Sequence, residues 1–597
     1  MRSVCNMRNF ISSLLGALSA LVLFFGAGIV LIVILLVVIG SMEQKTVAVE
    51  RGSYLVFDLS ANITDSPPLI DFGSFSRNHV DVLQLRQVTA ALRTASTDDR
   101  IKGVLIIGSV RTGGMGSGYA ALEEVRGELM DFRDSGKSVH AFLNYASTHD
   151  YYVASVADDI ALDPYGALTM PGLASEPMFF AKAFEKYGIG VQVTRVGKYK
   201  SAVEPFIRED LSEENRQQMQ QLLGGIWGNL IEDIGASRGL SIADIQKVVD
   251  TEGMIRAEQA KEAGLVDRVI YRDVILAELQ ESTGQKASKP FTQIGLQDYA
   301  NLINISGSSG GGRIAVVYAE GTIVDGEGER EQIGGDRFSR ELRRLRLDDS
   351  VSAIVLRVNS PGGSASASET IQREMRLAAK EKPVVVSMGS YAASGGYWIS
   401  TYSERIYAEP MTITGSIGVF GVLFDIQKLA NNMGITFDQV KTGEFADTMT
   451  ISRPKTDAEM ALIQRSVDWI YDEFISKVAE SRAIPRAQVE EIAQGRVWSG
   501  QEALDLGLVD EIGGLDEAIK HAAKLAGLEK YRLVEYPRKK ELAEAISELV
   551  NDMVPAGASA GLEGVIVEKL KGEMETLRGF NDPQGLYARM PMTLNLP

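Results

Sequence analysis

One pattern in this chain is written twice. NYASTHDYYVASVADDIALDP at 144–164 returns as SYAASGGYWISTYSERIYAEP at 390–410, pairing Tyr145 with Tyr391, Tyr151 with Tyr397, Ile160 with Ile406 and Pro164 with Pro410, each 246 residues apart. Downstream, YGIGVQVTRVG pairs with MGITFDQVKTG, so that Gly188 matches Gly434 and Gly197 matches Gly443 at the same offset. AGLVD at 263–267 then pairs with LGLVD at 506–510, offset by 243. A spacing held over so many residues means two copies of one structural unit. Within each copy, short apolar runs alternate with helical patterns. In the second copy the runs are RIAVVYAEG, SAIVLRVNS, PVVVSMGS and RIYAEP, with SETIQREMRLAAK between them. That alternation predicts an α/β fold with mainly parallel strands. The long stretch DAEMALIQRSVDWIYDEFISKVAESR carries an apolar face at helical spacing and is expected to pack on the sheet.

The remaining organisation follows. Residues 1–45 form a separate N-terminal segment, 46–305 the first copy, 306–312 a Gly/Ser junction, 313–530 the second copy and 531–597 a tail with no signal beyond assembly or docking. With 597 residues, more than one core is expected. A formal charge of −18 argues against a nucleic-acid partner. Between Arg8 and Glu43 no residue is charged, and the apolar run at 14–40 is long enough to span a bilayer. It exceeds the ~7–15 apolar residues of a cleaved signal peptide and lacks a clear small-residue cleavage site, so an uncleaved anchor is expected. Arg2 and Arg8 precede the run without acidic neighbours, which predicts a cytoplasmic N-terminus and places the rest of the chain across the membrane. The lone cysteine, Cys5, leaves the exported part free of disulfides, and no Cys/His cluster suggests a metal.

The differences between the copies carry the chemistry. Ser394 lies in a small-residue turn, AASGG, before a helical pattern; its counterpart is Thr148, followed by His149 and Asp150 instead of glycines. A serine hydroxyl needs a base, and of the four histidines none is placed beside that turn. Lys200, in RVGKYKSAVEPF, corresponds to Ala446, so one copy keeps the serine and the other the lysine. The complementary losses imply a serine–lysine pair assembled across the copies or between subunits. A lysine serves as general base only when neutral, which burial achieves by disfavouring its charge. Ser416, matched by Met170, could orient the amine, and Gly362, Gly363 (in the SPGG turn at 360–363) and Gly395 allow backbone N–H groups to approach a developing oxyanion. Lys198 and Lys200 are not separable by spacing, and His149 is the one histidine to watch as an alternative base.

At GKYKSAVEPF, NSPGGS, AASGGYWIS and TGSIG the sequence resembles the long, tandem-repeat members of serine peptidase family S49, the protease IV or signal peptide peptidase A family. The resemblance spans nearly the whole chain. It implies two tandem ClpP/crotonase-like domains, Ser394 as nucleophile and Lys200, rather than Lys198, as base. It also implies a homotetramer, no cofactor, and substrates that are signal-peptide remnants and other hydrophobic peptides. Competing readings are a crotonase-type acyl-CoA enzyme and a non-catalytic peptide-binding scaffold at the membrane.

Overall fold

The apolar runs of each copy become a largely parallel sheet. In the first copy β1 (Ser53–Asp58), β2 (Ile101–Ile107), β3 (Ser138–Ser147) and β4 (Asp159–Thr169) lie side by side. β5 (Gly190–Arg195) leaves this sheet, and β6 (Met254–Arg256) and β7 (Gln293–Gly295) flank it, giving the order β7-β1-β2-β3-β4-β6. The second copy runs through β8 (Gly312–Glu320), β9 (Thr322–Val324), β10 (Gln332–Gly334), β11 (Val351–Ser360), β12 (Gly362–Ser364) and β13 (Val384–Ala393). It continues with β14 (Ile413–Gly415), β15 (Phe420–Asp425), β16 (Val497–Ser499), β17 (Tyr531–Tyr536) and β18 (Leu586–Arg589). Its main sheet has the order β17-β8-β11-β13-β14-β16, the same path as in the first copy. β3 and β13 start at Ser138 and Val384, 246 residues apart, so the offset read from the sequence is the offset between equivalent strands.

The computed structural model describes residues 48–67, 81–286, 288–303, 311–329, 331–537, 580–582 and 585–590, and from Arg51 onward the chain is one unit. The expected anchor at 14–40 and most of the 306–312 junction lie outside the described residues. Among the described residues no helix is long and apolar enough to cross a membrane.

Strands of the second sheet are apolar on both faces because both faces are covered. Ala315, Val317, Ile354, Leu356 and Val358 point into a core shared with α3 (Ala365–Ala378) and α5 (Asp457–Arg482). Their neighbours Ile314, Val316, Ala353 and Val355 face Leu515, Ile519 and Ala522 on the other side. The predicted 457–482 helix thus packs its apolar face as expected, and Thr456 opens it with a capping box to Glu459.

Among the features that join the copies, two stand out. Arg357, fully buried on β11, donates to Asp65 (2.7 Å) and Glu124 (2.6 Å) of the first copy and to Ser387 Oγ (2.7 Å). Removing one partner of such a buried ion cluster costs about 3–5 kcal/mol. The second feature is a six-stranded sheet, β10-β9-β12-β18-β15-β5, in which β5 of the first copy pairs antiparallel with β15 of the second along its whole length, Gly190↔Asp425 to Arg195↔Phe420.

The structure departs from the sequence reading in three places. The SPGG tract is not a simple turn: Ser360 ends β11 and Gly362 already starts β12. MGITFDQVKTG matches β5 in sequence, yet 436–441 forms no strand, because no β15 edge of the same chain is left to pair with it. The segment after 530 supplies β17, which lies parallel to β8 within the second sheet, and β18, which lies in the shared sheet.

Candidate active site

β5 carries the chain of the first copy onto the second, and the loop after it delivers Lys200. Tyr199 N donates to Gln494 O (3.0 Å) and Val196 N to Val419 O (3.0 Å), so the loop is fixed to the second copy by backbone bonds on either side. Gln218, on α2 (Glu213–Arg238), donates to Tyr199 O (3.1 Å) and Ser201 Oγ (3.0 Å) from behind. Gly495 forms the wall on the other side. A Cβ there would stand 2.6 Å from Lys200 Cβ, so only glycine lets the two backbones approach this closely.

Ser394 stands between β13 and α4 (Gly395–Ser400), with φ 58° and ψ −110°, in the region L-residues rarely adopt. The strain is held by backbone bonds on both sides: Ser394 N donates to Gly415 O (2.7 Å), and Trp398 N donates to Ser394 O (2.8 Å). Ser416 has φ 50° and is fixed by Ser416 N donating to Arg496 O (2.6 Å). Two non-glycine residues at positive φ side by side in space mark a place where geometry, not local stability, sets the backbone.

These elements bring three predicted residues together within one chain. Lys200 Nζ lies 2.8 Å from Ser394 Oγ, 3.0 Å from Ser416 Oγ and 2.9 Å from Ser416 O. All three residues are fully buried, and burial without a compensating carboxylate among these contacts pushes the Lys200 amine well below its usual value of 10.5. A neutral amine has two N–H groups and one lone pair. The Ser416 carbonyl can only accept, and the Ser416 hydroxyl can accept as well, which leaves the lone pair facing the Ser394 O–H.

Two of the three glycines adjoin the serine turn. Gly362, at φ 91°, passes so close to the serine turn that a Cβ on it would stand 2.6 Å from Gly395 N. Gly363 is buried in β12, beside Gly362. The two alternative bases are elsewhere in character. Lys198 is exposed, with its amine 5.0 Å from the Tyr199 ring centroid. His149 is stacked on Tyr119 (centroids 4.2 Å apart), and burial lowers it to about 4, so it is neutral and held in an aromatic contact.

Sequence reasoning missed Gly418 and Gly495, which wall in Lys200, because a glycine chosen for close approach has no local signature. It also missed residues 580–590. Asp582 accepts from Ser364 Oγ (2.6 Å) and Ser366 Oγ (2.7 Å), and Phe580 and Tyr587 pack together 4.7 Å apart beside Phe420. The contacts of Asp582 with Ser364 and Ser366, and of Phe580 and Tyr587 with Phe420, join residues more than 150 apart, and no motif announces them.

The signature of peptidase family S49 matches residues 131–286 and 376–529, one block in each copy. "Protease 4" of Salmonella typhi is 36% identical over 92% of this chain and 91% of its own length. "Serine protease SPPA, chloroplastic" of Arabidopsis thaliana is 31% identical over 87% of this chain and 76% of its own. A ClpP1 mutant of Listeria monocytogenes overlays 34% of this chain and 94% of its own at 18% identity, with a TM-score of 0.24.

Proposed function

Because this chain belongs to peptidase family S49 and is a serine peptidase of that family, we propose that Ser394 is its nucleophile and Lys200 its general base, in a Ser/Lys dyad formed within one chain from both copies. The observation that carries this reading is the 2.8 Å approach of Lys200 Nζ to Ser394 Oγ in a buried site whose other amine contacts are the oxygens of Ser416. Lys200 takes the Ser394 proton as Oγ attacks a peptide carbonyl, and backbone N–H groups at Gly363 and Gly395 stabilise the oxyanion. The protonated amine then donates to the leaving nitrogen. Water, deprotonated by the same lysine, hydrolyses the acyl-serine ester and restores the hydroxyl. Ser416 holds the amine in line. No cofactor enters any step.

The same reading gives each copy a ClpP/crotonase-like fold. It takes the apolar run at 14–40 as a single-pass anchor in the bacterial inner membrane, with the peptidase on the periplasmic side. It takes signal-peptide remnants and other hydrophobic peptides as substrates. It includes assembly into a homotetramer. Supporting this, Met433 (69% exposed), Phe437 (51%) and Val440 (101%) place apolar side chains in solvent in the segment that matches β5, whose own Val191 and Val193 pack against a buried apolar cluster. Replacing Val440 and Phe437 together by Glu is expected to reduce the assembly mass seen by light scattering; an unchanged tetramer would place the interface elsewhere.

The dyad is tested with a fluorophosphonate probe on the detergent-solubilised chain, beside hydrolysis of a hydrophobic peptide. Labelling and hydrolysis are expected to disappear in Ser394→Ala and Lys200→Ala and to persist in Lys198→Ala. An active Lys200→Ala would sink the dyad. A folded, assembled wild type that neither labels nor hydrolyses would favour a binding scaffold.

A further inference from the structure

The GKYKSAVEPF segment that delivers Lys200 also carries a carboxylate to which the reaction gives no part. Glu204 is fully buried, beside the N-terminus of α2. Its oxygens accept from Ser212 Oγ (2.5 Å), Ser212 N (3.2 Å) and Asn215 Nδ2 (2.9 Å). Arg195, partly exposed, stands 3.8 Å away and also donates to Lys200 O (3.4 Å). A buried charge needs such partners, and the positive end of a 26-residue helix adds to them. Burial is what lowers Lys200, and no carboxylate opposes it.

From Glu204 the hydrogen bonds run in one direction. A carboxylate can only accept, so the Asn215 NH2 group must face it and the Asn215 carbonyl must face away. That carbonyl accepts from Gln218 Nε2 (3.0 Å), which fixes the Gln218 amide in turn. With its NH2 group so placed, Gln218 donates to Tyr199 O (3.1 Å) and Ser201 Oγ (3.0 Å), on the two residues that flank Lys200. Gln218 Oε1 accepts from Val497 N (3.5 Å) on β16, and Val497 pairs with Gly415, the residue before Ser416. Asn215, Gln218 and Ser201 are each 1% exposed, so a turned amide would set buried donors against donors.

We propose that Glu204 is a positioning residue for the general base: it sets the orientation of Asn215 and, through it, of Gln218, which holds both neighbours of Lys200 so that the amine meets Ser394 and Ser416. The proposal rests on the assignment of Ser394 and Lys200 above. Glu204 acts on the amine from two side chains away. Without it both amides can turn over, and the loop of Lys200 loses its bracket.

Steady-state kinetics and fluorophosphonate labelling of the detergent-solubilised full chain, followed against pH, test this. Glu204→Gln keeps the shape but can present a donor to Asn215. It is expected to lower kcat and the labelling rate together by about 10- to 100-fold, with KM changed less than about twofold. A loosened amine is less buried and titrates higher, so the acid limb of kcat/KM should move to higher pH. Loss of the charge alone would move that limb to lower pH, and a merely structural loss would leave it in place. Asn215→Leu, which cuts the link and keeps Glu204, should give the same changes. The double variant should be no slower than the slower single one, as for residues in one network. Glu213→Gln, an exposed carboxylate in the first turn of the same helix, should be as active as wild type. The proposal fails if Glu204→Gln keeps wild-type kcat, or if its acid limb stays in place or moves to lower pH. If Glu204→Gln does not fold, a folded Asn215→Leu decides on the same readouts. An active Lys200→Ala would overturn the dyad, and this proposal with it.

Discussion

The two copies share a strand path but treat the end of their third strand in opposite ways. In the second, β13 breaks at Ser394 into a strained turn, and Gly395 and Gly396 follow. In the first, Ser147 caps α1 (Thr148–Ala154) through a capping box with Asp150, and Thr148 is an ordinary helical residue. Asp150, matched to Gly396, also accepts from Ser109 Oγ (2.9 Å) and Val110 N (2.5 Å), at the end of β2. A carboxylate there consumes the donors that an oxyanion would need and adds a charge that would repel it. The first copy satisfies its backbone groups locally at this position, whereas the second holds Ser394 strained at positive φ. The first copy instead contributes β5 and Lys200, so on the assignment proposed above the duplication separates the base from the nucleophile while keeping both in one chain.

The largest expected effect tests that separation. Ser394→Ala and Lys200→Ala should each lower kcat by about 10³-fold or more, and the double variant should be no worse than the weaker single one, as for groups acting as a unit. Thr148→Ala, the matched change in the first copy, should alter kcat/KM less than about twofold. A comparable loss from Thr148→Ala would mean that the first copy is not catalytically silent.

Next in size is Gly362→Ala. Its φ of 91° and the close approach of Gly395 N leave no room for a methyl group. A loss of about 10²–10³-fold in kcat is expected, the range for one oxyanion donor, with the chain still folded by circular dichroism. Gly114→Ala, in the first copy's RTGGMG loop, meets nothing within 4 Å, although its φ of 57° costs some stability. Its activity should be unchanged.

The fold was legible because the repeat showed itself at two levels. Strands covered on both faces read as continuous apolar runs, and the offset of 246 survived in the strand starts Ser138 and Val384. Lys200 and Ser416 were legible because each differs in kind from its partner in the other copy, Ala446 and Met170, and Ser394 because glycines follow it where His149 and Asp150 follow Thr148. What the sequence could not supply was set by long-range pairing. The choice of Lys200 over Lys198 depends on which of two neighbouring side chains turns inward, and that is fixed by Gln494, Gly495 and Gln218. β12 and β18 are three and four residues long, and each is a strand only because an edge waits for it.

Ser416→Ala is expected to be milder, about 10- to 100-fold in kcat, because Ser416 O still accepts from the amine after the hydroxyl is gone. It should act through the position of the lysine, so the fluorophosphonate labelling rate should fall in parallel with kcat while KM stays nearly constant. A change confined to KM would make Ser416 a substrate contact.

The smallest effect concerns stability and carries the sharpest sign. Lys200 is lowered by burial, so between its lowered value and its ordinary 10.5 the folded chain binds fewer protons there than the unfolded chain. The cost of keeping the amine neutral is therefore largest at the acid end of that window and fades as pH rises toward 10.5. Lys200→Met removes the titration but fills the same buried space. Its stability relative to wild type should be most favourable near pH 7 and should decline steadily toward pH 10, read as the shift in urea midpoint at constant m. Lys198→Met, in the same loop but in solvent, should show no such trend. A pH-independent difference for Lys200→Met would mean that the buried amine keeps its proton in the folded chain, and the first copy would then supply a cation rather than a base.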